Sequence, residues 1–100
     1  MRIITKTRLT NFYLEYPSAK RNLLAWYKIT HDAAWQNLVE LREMFPSADL
    51  VSNFTVFNIG GNKFRLFVYI DYEWQMVFIR HVLTHADYDK NDWKNDDWYQ

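Results

Sequence analysis

Two short runs hold most of the side chains that could handle a phosphate ester: Asn62-Lys63-Phe64-Arg65, and Arg80 through Tyr88 with His85 between them. Arginine binds phosphate through charge-assisted, often bidentate hydrogen bonds, and lysine binds it as a point charge. Histidine, with an unperturbed pKa of about 6.5, gives and takes protons near neutrality. Tyrosine titrates near 10, so Tyr88 would act as a donor or positioner. Tyr69, Phe67 and Phe78 add faces on which an unpaired base could stack.

Such chemistry requires these runs to meet, and the hydrophobic periodicity indicates how. From Thr55 to Ile59, Lys63 to Ile70 and Gln75 to Leu83 the apolar residues follow a period of two and are rich in aromatic and β-branched types. Gly60-Gly61 reads as a two-residue turn, which would pair Lys63 with Asn58 and Phe64 with Phe57. Phe57, Ile59, Phe64, Leu66, Val68 and Ile70 then share a core face. A four-residue loop at Asp71 to Trp74 would pair Ile70 with Gln75, Phe67 with Phe78 and Arg65 with Arg80. His81 falls on the core face in that register, and His85 emerges near Lys63.

Two arginines opposed on a ladder repel by up to about 1 kcal/mol, which a polyanion would relieve. Carboxylates from the tail would relieve it equally well, with the aromatics buried beneath, so both readings stand at this point. A metal site of His81, His85 and Asp87 is disfavoured by strand alternation, and no metal or cofactor is expected. Asp71 and Glu73 fit a solvated turn, and His31 lies between helices.

Upstream, Met1 to Thr5 reads as a short strand. Leu9, Phe12, Tyr13 and Tyr16 repeat at helical spacing until Pro17, and a second helix runs from about Ser18 to Ile29 with Leu23, Leu24 and Tyr27 inward. Asp32 is a candidate cap for a third helix carrying Ala34, Leu38, Leu41 and Phe45, which Pro46 stops. The expected class is α+β: an N-terminal strand and a C-terminal three-stranded meander in a small antiparallel sheet, with two or three helices on one face.

At 100 residues and 49% hydrophobic, with two glycines and two prolines, the chain suits one domain over residues 1–100 with a polar tail from about 90 to 100. The absence of cysteine excludes disulfides and thiolate chemistry. No apolar run is long enough for a signal peptide or a membrane span, so a cytoplasmic location without membrane contact is expected. The net charge of zero hides an asymmetry. Met1 to Ala86 holds 10 basic and 7 acidic residues, while Asp87 to Gln100 sets Lys90 and Lys94 against five aspartates.

The segments Phe57-Asn58-Ile59-Gly60-Gly61-Asn62-Lys63-Phe64-Arg65-Leu66 and Phe78-Ile79-Arg80-His81-Val82-Leu83-Thr84-His85-Ala86-Asp87-Tyr88-Asp89-Lys90 together resemble the HigB toxin family. Met1-Arg2-Ile3-Ile4-Thr5 and Phe45-Pro46-Ser47-Ala48-Asp49 are similar to it as well, so the likeness spans nearly the whole chain. The resemblance implies a RelE-like fold and a toxin of a type II toxin-antitoxin system that cleaves mRNA, commonly on the translating ribosome. It also implies a HigA-like helix-turn-helix antitoxin as partner, through which alone operator DNA would be reached. The Trp93 to Gln100 tail carries no motif of the family.

Metal-independent RNA cleavage activates a ribose 2′-hydroxyl, stabilises charge on phosphorus and protonates the departing 5′-oxygen. On this reading Arg65 and Arg80 stabilise charge, His85 does acid-base work and Tyr88 positions substrate, while Lys63, Asn62 and Tyr69 bind RNA. Two alternatives predict no strand scission: a non-catalytic module gripping RNA or protein with a basic aromatic face, and a degenerate toxin acting only as operon co-repressor.

Overall fold

The computed structural model describes residues 1–100. Strand β1 (Arg2–Ile4) leads into helix α1 (Thr7–Glu15), a single turn of 3₁₀ helix at Pro17–Ala19 and helix α2 (Lys20–Asp32). Helix α3 (Leu38–Met44) precedes strands β2 (Asp49–Val51), β3 (Phe54–Ile59), β4 (Phe64–Asp71) and β5 (Met76–Thr84). Helix α4 (His85–Asp89) and a 3₁₀ turn at Asp92–Asn95 complete the chain. No helix is long and apolar enough to cross a membrane.

The α+β class is as expected, and the sheet is larger. Its five strands run in the order β1-β5-β4-β3-β2, with β1 parallel to β5 and the other pairings antiparallel. A three-residue strand such as β2 shows too little alternation to be legible by period, and pairing direction has no local signature. Helix α1 ends before Pro17, whose ring disfavours helical geometry at Tyr16. Helix α2 runs on through Asp32, so that residue closes a helix and does not cap the next one. Asn37 does that, its side chain accepting from the Glu40 N–H at 3.0 Å. Ala34 lies ahead of α3, and Trp26 joins Leu23 as the fully buried anchor of α2 in place of Leu24 and Tyr27.

Helices and sheet close over one main core, in which Leu9, Leu23, Trp26 and Leu41 meet Phe57, Ile59, Phe64, Leu66, Val68, Val77 and Ile79. The expected inward residues of β3 and β4 are all there, with Ile70 packed against them. Trp26 meets Phe57 edge-on at 5.4 Å, and Phe45 meets the same ring at 5.1 Å. Each large apolar side chain buried this way contributes roughly 1.5–3 kcal/mol.

The opposite face of the sheet is not open. Phe54, Val56 and Phe67 form a second cluster there with Trp93, against which Val51, Tyr69, Leu83, Tyr88 and Tyr99 pack. The tail is the cover of that face.

Both hairpins depart from the expected loops. Gly60 and Gly61 have φ of 63° and 69°, left-handed values that glycine adopts without steric cost, but the turn takes in four residues, Gly60 to Lys63. Ile59 therefore pairs with Phe64 and Asn58 with Arg65. This two-position offset preserves the faces. The second loop, Tyr72 to Gln75, pairs Asp71 with Met76 and Ile70 with Val77.

Candidate functional site

The register of β4 on β5 changes partway along. Val68 pairs with Ile79 and Phe67 with His81, leaving Arg80 as the extra residue of a β-bulge. A bulge interrupts alternation. Ile79 faces the main core, whereas Arg80 and His81 both face the tail, so His81 is not a core-face residue. Beyond the bulge Arg65 sits opposite Leu83, not Arg80. The two arginines share the outer face but stand three positions apart on β5, about 10 Å of strand.

Asp96, its side chain 3% exposed, holds Arg80 through two hydrogen bonds, Nε to Oδ2 at 3.0 Å and Nη2 to Oδ1 at 2.7 Å. Trp98 lies over the guanidinium at 4.0 Å, a cation–π contact. Of the two ways to relieve the arginine charge, the carboxylate of the tail is the one adopted at Arg80. The aromatics expected to be free for stacking are occupied too. Phe67 is buried under Trp93, Phe78 meets Trp98 at 5.3 Å and Tyr69 meets it at 5.7 Å. Tyr69 still lines a pocket of about 400 Å³ with Asn53, Asp97, Trp98 and Gln100.

Arg65 differs from Arg80 in having no acid beside it. Its guanidinium donates to the Phe64 carbonyl at 3.2 Å and lies 5.7 Å from the centre of the Tyr88 ring. The Tyr88 ring in turn stacks parallel on Trp93 at 5.8 Å, which fixes its plane. Thr84 caps α4 by accepting from the Asp87 N–H at 3.1 Å, and the His85 N–H donates to the Lys63 carbonyl at 3.2 Å. The end of β5 is thereby tied to the glycine turn.

Lys63, Arg65, His85 and Tyr88 gather at one corner, with Asn62 exposed in the adjoining turn. The His85 ring is 55% exposed and contacts Asp89 at 3.3 Å. Of the seven residues with sequence-assigned roles, Arg80 and Tyr69 stand apart from this corner, the first held by Asp96 and the second against Trp98. No three side chains of His, Asp or Glu are disposed to hold a metal ion, so His81, His85 and Asp87 do not form a ligand set.

Sequence reasoning missed His81 and Asp96. The His81 Nε2 lies 2.8 Å from Asp96 Oδ2. Burial lowers the pKa of His81, the hydrogen bond and charge of Asp96 pull it upward, and Arg8 and Arg80 push it down, with the net shift downward. For Asp96, burial alone would raise the carboxyl pKa. Hydrogen bonds from Arg80 and the Trp98 N–H, with the Arg80 charge and the His81 hydrogen bond, overcome that and hold it at about 2. The available signal was the run of aspartates in the tail; what hid the pair was the bulge.

Comparison with known proteins accords with this architecture. The sequence profile of the HigB toxin family, described as the RelE-like toxic component of a toxin-antitoxin system, matches residues 19–91. The mRNA interferase toxin HigB of Escherichia coli K12 is 33% identical over 92 residues, which cover 89% of this chain and 88% of that one. The mRNA interferase HigB of Escherichia coli O6:H1 (strain CFT073) is 29% identical over 93 residues, 90% of each chain. That of Shigella flexneri is 33% identical over 92 residues. A profile matched over most of the chain, and a one-third identity sustained along nearly all of it, establish that the chain belongs to the HigB family of RelE-like toxins.

Proposed function

We propose that this chain is an mRNA endoribonuclease, the toxin of a toxin-antitoxin pair, which cuts the transcript on the translating ribosome by 2′-hydroxyl attack and leaves a 2′,3′-cyclic phosphate. The observation that carries the reading is the corner at which Arg65, free of any carboxylate, meets Lys63, His85 and Tyr88. Relatives named as mRNA interferases support the substrate class.

Arg65 supplies charge stabilisation at phosphorus, since its guanidinium is held over a fixed ring and keeps donors to spare. Lys63 and Asn62, in an exposed turn, contact the flanking RNA backbone or ribosomal RNA. His85 exchanges protons at the exposed rim, and Tyr88 positions the substrate. Arg80 acts on the site indirectly, by anchoring the tail through Asp96. Tyr69 contacts RNA only at the mouth of its pocket, because Trp98 covers one edge. The partner is a HigA-like antitoxin with a helix-turn-helix domain, and operator DNA is reached through it.

The test is cleavage of mRNA on purified translating ribosomes in the presence of EDTA, with mapping of the new 3′ ends. Cyclic phosphate ends that appear with this chain and vanish when antitoxin is added support the reading. Binding of RNA with no new ends under any ribosomal condition overturns it in favour of a non-catalytic module.

A further inference from the structure

The corner leaves His31 and His81 unused, and His81 is the more enclosed of these two. His81 lies on the bulge, 24% exposed, between two grooves of about 290 and 310 Å³ that share His81 and Leu83 as lining. One groove is rimmed by Lys90 and the other by Arg8 and Asn11 of α1. On the first rim Lys90 is paired with Asp87 at 3.5 Å beside Asp92, so the cation offered to a phosphate next to His81 is Arg8, which shares the second groove with Glu15.

The orientation of the ring follows from Asp96. A carboxylate held ionised only accepts hydrogen bonds, so Nε2 must carry the proton that points at Oδ2, and neutral His81 keeps its lone pair on Nδ1. That nitrogen makes no hydrogen bond to protein and is not among the buried unpaired atoms, so it reaches solvent. The rings of Phe54 and Phe67, near perpendicular to the imidazole at 6.3 and 6.0 Å, hold it in place from the sheet side. An acid that fixes tautomer and plane, with the other nitrogen free, is the arrangement a general base needs.

We propose that His81 is the general base of RNA cleavage and Asp96 its positioning residue, with the groove that His81 shares with Arg8 seating the attacked phosphodiester. This rests on the endoribonuclease reading above and names the base within it. His81 Nδ1 takes the proton of the ribose 2′-hydroxyl as that oxygen forms its bond to phosphorus. The bond from phosphorus to the 5′-oxygen breaks, its electron pair stays on that oxygen, and a proton from water completes the 5′-hydroxyl. The charged groups facing His81 are Arg80 on its own strand, Arg8 and Glu15 on α1, Asp87 and Lys90 in and after α4, and Asp92 and Asp96 in the tail. Because burial and the two arginines outweigh Asp96, His81 is neutral at pH 7 and the rate should fall only in acid.

The experiment is the pH–rate profile of ribosomal mRNA cleavage for the wild type, His81→Gln, His85→Gln and Asp96→Asn, each checked for native folding by its backbone NMR spectrum. Glutamine keeps a donor toward Asp96 and removes the base. His81→Gln should lower kcat about 100-fold with little change in KM and erase the acidic limb, in line with the contribution typical of a general base. Asp96→Asn should move that limb to lower pH, and Asp96→Glu should restore part of the shift. Imidazole added to His81→Ala should recover cleavage. A His81→Gln protein that is folded and within threefold of wild type, or an acidic limb that disappears with His85→Gln and persists with His81→Gln, overturns the proposal while leaving the endoribonuclease reading intact. A wild-type chain that cuts no RNA overturns both.

Discussion

Asp96 meets Arg80 through both carboxylate oxygens, and between them the two residues fasten the last segment of the chain to the middle of the sheet. The Arg80 side chain is 20% exposed, so removal of its partner leaves a mostly desolvated cation. Breaking one side of a buried ion pair costs several kcal/mol, well above an exposed pair. Asp96→Ala should lower unfolding free energy by about 3 kcal/mol in a urea titration.

The same carboxylate makes stability depend on pH, and the sign can be worked out. Its pKa is about 2 when folded against an ordinary 3.8, so its contribution is complete above pH 4 and is lost as pH falls through about 2. His81 is also shifted down, so the unfolded chain takes up its proton first, and the loss of stability begins below about pH 6.5. Urea midpoints measured from pH 8 to pH 3 should decline in two stages. Replacing His81 with glutamine should remove the upper one.

Arg65 and Arg80 should separate by phenotype. Arg65 bonds only to its own neighbour's carbonyl, so Arg65→Ala should stay within about 0.5 kcal/mol of wild type while cleaving roughly 10²–10³-fold more slowly. Arg80→Ala should lose stability before it loses chemistry, because it strands Asp96. Growth arrest on induction, read beside thermal melting, distinguishes the two.

Tyr72 packs against the main core with its hydroxyl buried and unpartnered, and burial raises its pKa. A lone buried hydroxyl costs about 1–3 kcal/mol of desolvation, which phenylalanine avoids without changing shape. Tyr72→Phe should raise the melting temperature and leave cleavage unchanged.

What the sequence made legible was what repeats. The period of two on β3 and β4 put Phe57, Ile59, Phe64, Leu66 and Val68 into the core, and the helix stops at Pro17 and Pro46 were visible as well. The family likeness was readable from the hairpin and the Thr84-His85 segment. Features that break period stayed hidden. The loop Asp71 to Trp74 proved to be Tyr72 to Gln75, and one bulge at Arg80 then shifted every pairing beyond it. For that reason Arg65 was expected opposite Arg80, and His81 was assigned to the wrong face. His85 and Lys63 meet all the same, because His85 approaches Lys63 in either register, while Arg80 is drawn off to Asp96. The Arg80–Asp96 contact spans sixteen positions and crosses a turn at Asn91 with φ of 61°, which no local pattern encodes.

The pairing of β1 with β5 has a bearing on synthesis. The first strand made waits for the last one, and Trp93 must arrive before Phe54 and Phe67 are shielded. Contacts so distant along the chain close late. A nascent polypeptide therefore cannot close this sheet, or cover its outer face, until β5 and Trp93 have been translated.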